Sequence, residues 1–281
     1  NQPHLSKIIR ELERDLGCPI FDRTSRGMIP TVRGEEFLRY AKGIMEQEAQ
    51  LDKLCSRNKE CPREIRLCGP RTSYISSTLK NFLKEDDRLF TTNVRYKETN
   101  SKDVVRLVSS KEFDLGIVRC QVLYEPFFLK MIQDEHLDSK VLWQFSPKVL
   151  MSPSHPLAGK EPLDHLDFSQ SVELLQGDIQ YPSFTPENTD CVLPDSDPRH
   201  TIYIYDRGSQ YEFLRHLPGA YMWTSPVPYS TLTEARLIQR ECTRPDNVFK
   251  DLLVCRSNYR LSKAETELTQ WLGRTISQLS D

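Results

Sequence analysis

The chain has 281 residues, a length that corresponds to two or three compact units rather than one small module. A hydrophobic content of 38% and a charged content of 28% are typical of a globular protein, and no apolar run reaches the ~18 residues of a membrane span. The polar start carries no secretion signal, so we expect a cytoplasmic protein without a membrane partner.

The charge is unevenly distributed along the chain. The net charge of −2 does not by itself indicate a nucleic-acid partner. However, residues 1–33 contain six lysines and arginines against four acidic residues, whereas residues 63–281 contain 27 against 30. A slightly basic N-terminal segment is a weak indication of a local contact with DNA.

The first predicted element is a helix over residues 3–16. Pro3 occupies the first helical position, where proline is favoured, and Gly17 is a typical stop signal. One face of this helix collects the apolar residues Leu5, Ile8, Ile9, Leu12 and Leu16, so we expect it to be buried. The opposite face carries Lys7, Arg10 and Arg14, with Ser6 at its edge. On periodicity alone, an ordinary amphipathic surface helix is the simpler interpretation.

Residues 18–31 predict a short hairpin. The pairs Ile20-Phe21 and Met28-Ile29 lead into and out of a turn at Ser25-Arg26-Gly27. The tip of the hairpin carries the cationic and hydroxyl residues Arg23, Thr24, Ser25 and Arg26. Such a tip beside a cationic helix face is typical of a wing that contacts the phosphate backbone of DNA.

A long helix is predicted next, from a cap at Thr31 to about Arg57. Its apolar residues recur at alternating steps of four and three, interrupted by the polar Glu48, and are Phe37, Ala41, Ile44, Leu51 and Cys55. This seam resembles a coiled coil, so we expect the helix to pair with another chain. The alternative is a helix that packs on its own domain.

The N-terminal segment resembles the LysR-type transcriptional regulators. The match runs in order and without a gap from residue 2 to residue 34, and is therefore more specific than a short motif. It consists of Gln2-Pro3-His4-Leu5-Ser6, Ile9, Leu12-Glu13, Leu16-Gly17, Ile20-Phe21-Asp22-Arg23, Arg26-Gly27, Pro30-Thr31 and Gly34. The resemblance implies a winged helix-turn-helix, a dimerising linker helix and an effector-binding domain. The family's first two helices, which would precede Gln2, have no counterpart here, so we expect a partial winged helix-turn-helix.

The resemblance also implies which residues face DNA. Residues 3–16 become the recognition helix, whose N-terminal part enters the major groove of double-stranded promoter DNA. The residues nearest to the DNA are then Gln2, Pro3, His4, Ser6, Lys7 and Arg10. Backbone contacts in or beside the wing fall to Arg23, Thr24, Arg26 and Thr31. Arg14 lies one turn too far along and is expected at the surface.

Beyond a polar linker over 58–64, the pattern changes to alternating strands and helices. Strands are predicted at Ile65–Gly69, Thr92–Lys97 and Asp114–Val118, with helices over 73–86 and 102–110 between them. This regularity predicts βαβ units with a parallel sheet. The later predicted strands are 140–144, 148–151, 172–175, 201–205, 220–223 and 248–255. Helices are predicted over 209–216 and 262–279, the last with a capping box of Ser262 and Glu265.

This α/β pattern resembles the periplasmic-binding-protein-like effector domain of the LysR family. The predicted boundaries are 1–33 for the DNA-binding part, 34–62 for the linker helix and 63–281 for the effector domain. Within the last, lobe I covers 63–145 and 247–281, and lobe II covers 146–246. The resemblance implies a small-molecule effector between the lobes and assembly as a homodimer or homotetramer.

Two turns match the family's ligand-gripping turns in position. Pro70-Arg71-Thr72-Ser73 and Arg207-Gly208-Ser209-Gln210 each follow a strand and open a helix, where N–H groups favour anions. Arg71 and Arg207 favour an acidic effector. The candidate ligand-binding residues are Arg71, Thr72, Ser73, Arg119, Gly177, Asp178, Arg207 and Ser209. The alternative is that Ser73 and Ser209 are simple N-caps.

Catalytic and metal chemistry is not predicted, nor is any cofactor. The histidines lack metal-ligand spacing, and we find no G-x-S-x-G, P-loop or G-x-G-x-x-G motif. The eight cysteines form no C-x-x-C pair and are expected as free thiols. Two other interpretations stay open: a solute-binding protein of the same two-lobed fold, and a redox-switched regulator that uses Cys120 and Cys191, both expected in loops.

Overall fold

The computed structural model describes residues 2–24, 27–55, 63–85, 88–177, 200–243 and 248–280. The chain divides into two compact units, Asn1–Cys61 and Pro62–Asp281. Among the described residues, no helix combines the length and the apolar composition that crossing a membrane requires.

The N-terminal unit is a helix, a hairpin and a long helix, as the sequence predicts. Its elements are α1 (Gln2–Leu16), β1 (Phe21–Thr24), β2 (Gly27–Pro30) and α2 (Val32–Cys55). The strands β1 and β2 pair antiparallel, with Phe21 opposite Pro30. The predicted cap of α2 is also confirmed, because the Thr31 hydroxyl accepts a hydrogen bond from the Gly34 amide at 2.9 Å.

The predicted burial of the apolar face of α1 is wrong for two of its residues. Ile8 and Leu16 are 47% and 43% exposed, and Ile9 and Leu12 are half-buried. Within this unit, the described residues supply only a two-stranded hairpin and α2 for packing, and these cover a small part of the helix. The Leu5 side chain lies outside what the structure describes.

The second unit contains the predicted alternation of strands and helices, followed by further elements. Its first half consists of β3 (Arg63–Gly69), α3 (Ser73–Lys84), α4 (Arg88–Thr91), β4 (Thr92–Glu98), α5 (Ser101–Ser109), β5 (Leu115–Gln121), α6 (Glu125–Asp134) and β6 (Leu137–Phe145). Its second half consists of β7 (Lys148–Met151), β8 (Val172–Gln176), β9 (Thr201–Ile204), α7 (Arg207–His216), β10 (Ala220–Thr224), α8 (Tyr229–Ala235), β11 (Ile238–Arg240), β12 (Phe249–Arg256) and α9 (Lys263–Ser280). Arg63 and Glu64, which we predicted in the linker, belong to β3, and residues 56–62 lie outside the described residues.

Two five-stranded sheets define two lobes within this unit. Lobe I has the strand order β4-β3-β5-β12-β6, and lobe II has the order β11-β7-β10-β8-β9. The chain thus leaves lobe I after β6 and returns to it with β12, so two connections join the lobes.

The sheets are mixed, and the prediction of a parallel sheet is only partly correct. In lobe I, β3 is parallel to β4 and to β5, whereas β12 runs antiparallel to β5 and β6. In lobe II, β8 is parallel to β9 and β10, while β7 is antiparallel to β10 and β11. The antiparallel strands are those next to the connections between the lobes, which lie outside the βαβ pattern that predicted parallel pairing.

Helices cover both faces of the lobe I sheet. On one face, α3 and α9 pack through buried residues such as Phe82 and Leu268. On the other face, α5 and α6 pack through residues such as Val104 and Phe128. The predicted capping box holds the start of α9, because the Ser262 amide donates to the Glu265 carboxylate at 2.7 Å and the Glu265 amide to the Ser262 hydroxyl at 3.2 Å.

Candidate functional site

The candidate DNA-facing residues lie on α1 and on the hairpin. Arg10 is exposed on α1, opposite the half-buried Ile9 and Leu12 in helical position. Five candidates lie in the first two turns of α1 and two in β1, but their side chains lie outside what the structure describes: Gln2, Pro3, His4, Ser6, Lys7, Arg23 and Thr24. Arg26 lies outside the described residues altogether.

Glu13 attaches the hairpin to α1. Its carboxylate accepts hydrogen bonds from the backbone amides of Ile20 at 2.9 Å and Phe21 at 3.1 Å. A carboxylate that accepts two amides at the start of a strand fixes the direction in which the hairpin leaves the helix. Glu13 is part of the family match, but its role is not visible in the sequence, because no local pattern relates it to residues seven and eight positions away.

The Thr31 hydroxyl is already engaged within the unit. It donates to the Pro19 carbonyl at 2.9 Å while it caps α2. A hydroxyl has a single proton to donate, so this side chain has none left for a phosphate oxygen in this arrangement. The predicted role of Thr31 in contacting DNA therefore gains no support from its geometry.

Gly34 lets α2 approach the hairpin closely. A Cβ atom at this position would lie 1.9 Å from the Ile20 carbonyl oxygen, far inside van der Waals contact. Ile20 itself is buried. A glycine in the first turn of α2 is therefore required by packing, which explains its place in the family match.

In the second unit, the start of α3 contacts lobe II directly. The buried Thr72 hydroxyl lies 2.7 Å from the Ser225 hydroxyl, which follows β10. The Ser73 hydroxyl lies 2.5 Å from the hydroxyl of Tyr211 on α7. The predicted turn after β3 thus contacts lobe II at the first helical turns of α7 and at the residue after β10, and we call the region between these elements the interlobe cleft.

The alternative that Ser73 and Ser209 are N-caps is wrong. Thr72 holds the N-cap position of α3 and makes no side-chain capping bond, because its hydroxyl pairs with Ser225. Asp206 is the N-cap of α7 and accepts a hydrogen bond from the Ser209 amide at 2.7 Å. Hydrogen bonds from Ser209 lower the pKa of Asp206, so the start of α7 already holds an ionised carboxylate.

Arg207 crosses from lobe II to lobe I. Its guanidinium donates to the Ser76 hydroxyl at 2.8 Å and to the Thr72 carbonyl at 2.9 Å. It also forms an ion pair with Glu98 at the end of β4. The cation that we predicted for an effector thus has an internal carboxylate partner.

The remaining candidate residues, Arg71, Gly177 and Asp178, have fewer described contacts between the lobes. The Arg71 carbonyl accepts a hydrogen bond from the side chain of Gln176 in lobe II at 3.4 Å. Gly177 follows β8. Its amide donates to the Ile204 carbonyl, and a Cβ at this position would lie 2.4 Å from the Tyr205 ring. Asp178 lies outside the described residues.

Arg119 does not fit its predicted role in the cleft. It lies within β5 and forms a two-bond ion pair with Asp251 of β12, at 2.8 and 2.7 Å. Asp251 has no exposed surface, and it also accepts hydrogen bonds from Tyr74 at 2.8 Å and Trp143 at 3.1 Å. Burial alone would lower the pKa of Arg119, but the charge and hydrogen bonds of Asp251 outweigh it and raise that pKa.

The Asp251 cluster was not found from the sequence. Its members come from β5, β6, β12 and the first turn of α3, and only the fold brings them together. Burial, and then the nearby carboxylate, raise the pKa of Tyr74 well above its usual value, so its hydroxyl stays a donor. Through Tyr74, which directly follows Ser73, the cluster connects the start of α3 to the lobe I sheet.

The proposed redox pair also needs correction. Cys120 lies in β5 rather than in a loop, and it is buried. Burial raises the pKa of its thiol to about 12, which disfavours the reactive thiolate. Cys191 lies outside the described residues. Within the described part of the chain, no group of histidine, cysteine and acidic residues could hold a metal ion.

Two family models match the chain. The model described as a bacterial regulatory helix-turn-helix protein of the lysR family matches residues 1–35, which comprise α1, the hairpin and the start of α2. The model of the LysR substrate binding domain matches residues 63–176, from β3 to β8. The two models thus fall on the two units separately.

Similar proteins carry names of regulators rather than of enzymes. The regulatory protein NocR of Agrobacterium tumefaciens is 25% identical over 170 residues, which cover 59% of this chain and 52% of NocR. The HTH-type transcriptional regulator BudR of Raoultella terrigena is 28% identical over 182 residues, which cover 62% of this chain and 58% of BudR. The chain therefore spans about half the length of these relatives.

The fold is also similar to that of a solved regulator. A full-length OxyR variant from Pseudomonas aeruginosa matches with a TM-score of 0.56 and 16% identity, covering 100% of this chain and 87% of that one. At this identity, the likeness establishes the fold alone.

Proposed function

The chain belongs to the LysR family of bacterial transcriptional regulators, and from that premise we propose that it binds promoter DNA in the cytoplasm under the control of a small-molecule effector. The observation that carries the proposal is the helix-turn-helix match to residues 1–35, which coincides with α1, the hairpin and the Gly34 contact. A ligand can control DNA binding only if its affinity differs between two states of the protein.

We propose that the N-terminal part of α1 enters the major groove. The residues that would lie nearest to the bases are Gln2, Pro3, His4, Ser6, Lys7 and Arg10. The residues that would contact the phosphate backbone are Arg23, Thr24, Arg26 and Thr31. The exposed side chain of Arg10 supports this orientation.

The proposal is tested by fluorescence anisotropy with labelled double-stranded DNA from the region beside the protein's own gene. We expect specific binding that exceeds binding to shuffled DNA by about 10³-fold or more, with a clear salt dependence. Arg10→Ala should weaken binding about tenfold and lower the salt slope by about one. Arg14→Ala is the matched control, since Arg14 lies one turn further along the same exposed face and should change little. Equal affinity for specific and shuffled DNA would refute the proposal.

For the effector, we propose an acidic small molecule in the interlobe cleft. Arg71, Thr72, Ser73, Gly177, Arg207 and Ser209 would surround it, together with Asp178, which lies outside the described residues. The hydroxyl pairs at Thr72–Ser225 and Ser73–Tyr211 support this position, because a ligand could exchange with them. Arg119 is left out, since Asp251 occupies its guanidinium. Native mass spectrometry of the purified protein tests the proposal, with loss of the bound mass expected in Ser73→Trp.

We propose that α2 pairs with a second copy of the chain, giving a homodimer or homotetramer. Four of its apolar side chains, Val32, Tyr40, Ile44 and Met45, are exposed, and Ile44 belongs to the predicted seam. Phe37 and Ala41 are half-buried, while the side chains of Leu51 and Cys55 lie outside what the structure describes. Light scattering after size exclusion should give at least a dimer for the wild type and a shift toward monomer for Ile44→Glu; a monomeric wild type would contradict pairing.

A further inference from the structure

Arg207 is the most extensively bonded side chain across the described cleft. It extends from the first position of α7 in lobe II to three acceptors in lobe I, namely the Thr72 carbonyl, the Ser76 hydroxyl and the Glu98 carboxylate. Its side chain and that of Glu98 are each only 21% exposed. Burying a cation to this extent costs free energy unless an anion pairs with it. The position opposite Arg207 is therefore suited to a carboxylate.

Glu98 accepts hydrogen bonds from the same groups that would bind the carboxylate of an effector. One of its oxygens accepts from both Arg207 and the hydroxyl of Tyr96, the latter at 3.0 Å. A guanidinium and a phenol that converge on one oxygen are a typical carboxylate-binding pair. The Ser73–Tyr211 hydroxyl pair belongs to the same two helix starts as Ser76 and Arg207. An acidic ligand could therefore bind Arg207 only by displacing the carboxylate of Glu98.

Arg71, the second arginine that favours an acidic effector, also interacts with an acidic residue of the opposite lobe. The charge of Arg71 in lobe I contributes to the lowered pKa of Asp206 in lobe II, after the hydrogen bonds from Ser209 and Gly208. The charge of Arg71 thus acts on an acid of the opposite lobe, and Arg207 forms a direct ion pair with one. Among these four described groups the charges balance, so an anionic ligand that binds Arg207 has to replace the carboxylate that is already paired with it.

We propose that Glu98 is a tethered competitor of the effector, holding Arg207 and the two lobes together until an acidic ligand replaces its carboxylate. The inference deepens the proposed function and rests on its effector cleft. Replacement exchanges one charge-assisted pair for another, so Glu98 sets the effector concentration at which the exchange occurs. It also selects ligands that gain further hydrogen bonds in the cleft, because a bare carboxylate gains little over Glu98.

The test uses propionate, which has the size and charge of the glutamate side chain beyond Cα. Glu98→Ala leaves a space opposite Arg207, and we expect it to bind propionate about tenfold or more tightly than the wild type, as measured by equilibrium titration. We also expect Glu98→Ala to lower the Tm by about 4–8 °C and propionate to restore most of this loss. Equal propionate affinity in the wild type and Glu98→Ala would overturn the proposal.

Two control variants make the result specific. Glu234→Ala removes a looser ion pair between the lobes, with Lys80 at 3.6 Å and more exposed partners, and should create no propionate site. In Glu98→Ala/Arg207→Gln, the gain in propionate affinity should disappear. A gain that persists without Arg207, or that arises equally in Glu234→Ala, overturns the proposal.

Glu98→Gln keeps the test decisive if Glu98→Ala does not fold. It preserves the volume of the side chain and removes its charge, so its propionate affinity should lie between those of the wild type and Glu98→Ala. An affinity equal to that of the wild type overturns the proposal. These readouts involve no DNA, so a protein that fails to bind its promoter while passing them would refute the proposed function and leave the carboxylate exchange standing.

Discussion

In the N-terminal unit, Ile20 and Gly34 are the buried residues among those whose side chains are described, whereas the two-lobed unit contains four buried apolar clusters. The N-terminal unit is held by a few directed contacts: two amides on Glu13, two bonds on Thr31 and the close approach at Gly34. In the two-lobed unit, most of the packing is apolar, and the polar contacts lie between elements that this packing already holds in place. Single contacts should therefore dominate local geometry in the first unit, and buried charges should dominate stability in the second.

The largest effect is expected from Asp251 in the two-lobed unit. Asp251→Ala leaves the guanidinium of Arg119 without its carboxylate and removes the acceptor of Tyr74 and Trp143. We expect a loss of about 3–5 kcal/mol in the free energy of unfolding, measured by urea denaturation at pH 7. Asp251→Asn keeps the volume and one acceptor oxygen and should cost less. A loss below about 1 kcal/mol for Asp251→Ala would mean that this cluster does not support lobe I.

A smaller loss is expected where α2 meets the hairpin. Gly34→Ala places a methyl group against the Ile20 carbonyl and should cost about 1–3 kcal/mol, because backbone rather than a flexible side chain must move. Gly43→Ala on the same helix is the matched control. Its added Cβ has no heavy atom within 4 Å, so it should stabilise α2 by up to about 1 kcal/mol. Thermal unfolding followed by circular dichroism measures both, and effects of the same sign would contradict the proposed close contact.

The same contrast explains how far the sequence could predict the structure. Signals that involve neighbouring residues predicted the ends of helices: Gly17 directly follows α1, Thr31 caps α2, and Ser262 with Glu265 caps α9. The alternation of strands and helices located most of β3 to β5. It did not reveal α6, α8 or β11, which bury two, one and no side chains respectively and so present no strong apolar pattern.

Long-range partners were beyond sequence reasoning. We predicted Arg119 in the cleft because it follows the predicted strand Asp114–Val118, and nothing near it in sequence pointed to Asp251, 132 positions away. Arg207 was assigned correctly to the start of a helix. Its partner Glu98 lies 109 positions away in the sequence, and this carboxylate neutralises the positive charge that we predicted for an acidic ligand. Patterns within one element predict its faces, whereas charge pairing between elements depends on the topology of the sheet.

The smallest of these effects, and the one that most directly tests the first unit, is expected at Glu13. Glu13→Ala removes two amide hydrogen bonds from a half-buried carboxylate and should cost about 1–2 kcal/mol. Hydrogen exchange at the Ile20 and Phe21 amides should become roughly tenfold faster, while exchange in α9 stays unchanged. Asp15→Ala is the control, because Asp15 is exposed and its only described ion pair is a loose one with Arg14 at 3.7 Å. Equal exchange in the two variants would show that Glu13 does not orient the hairpin.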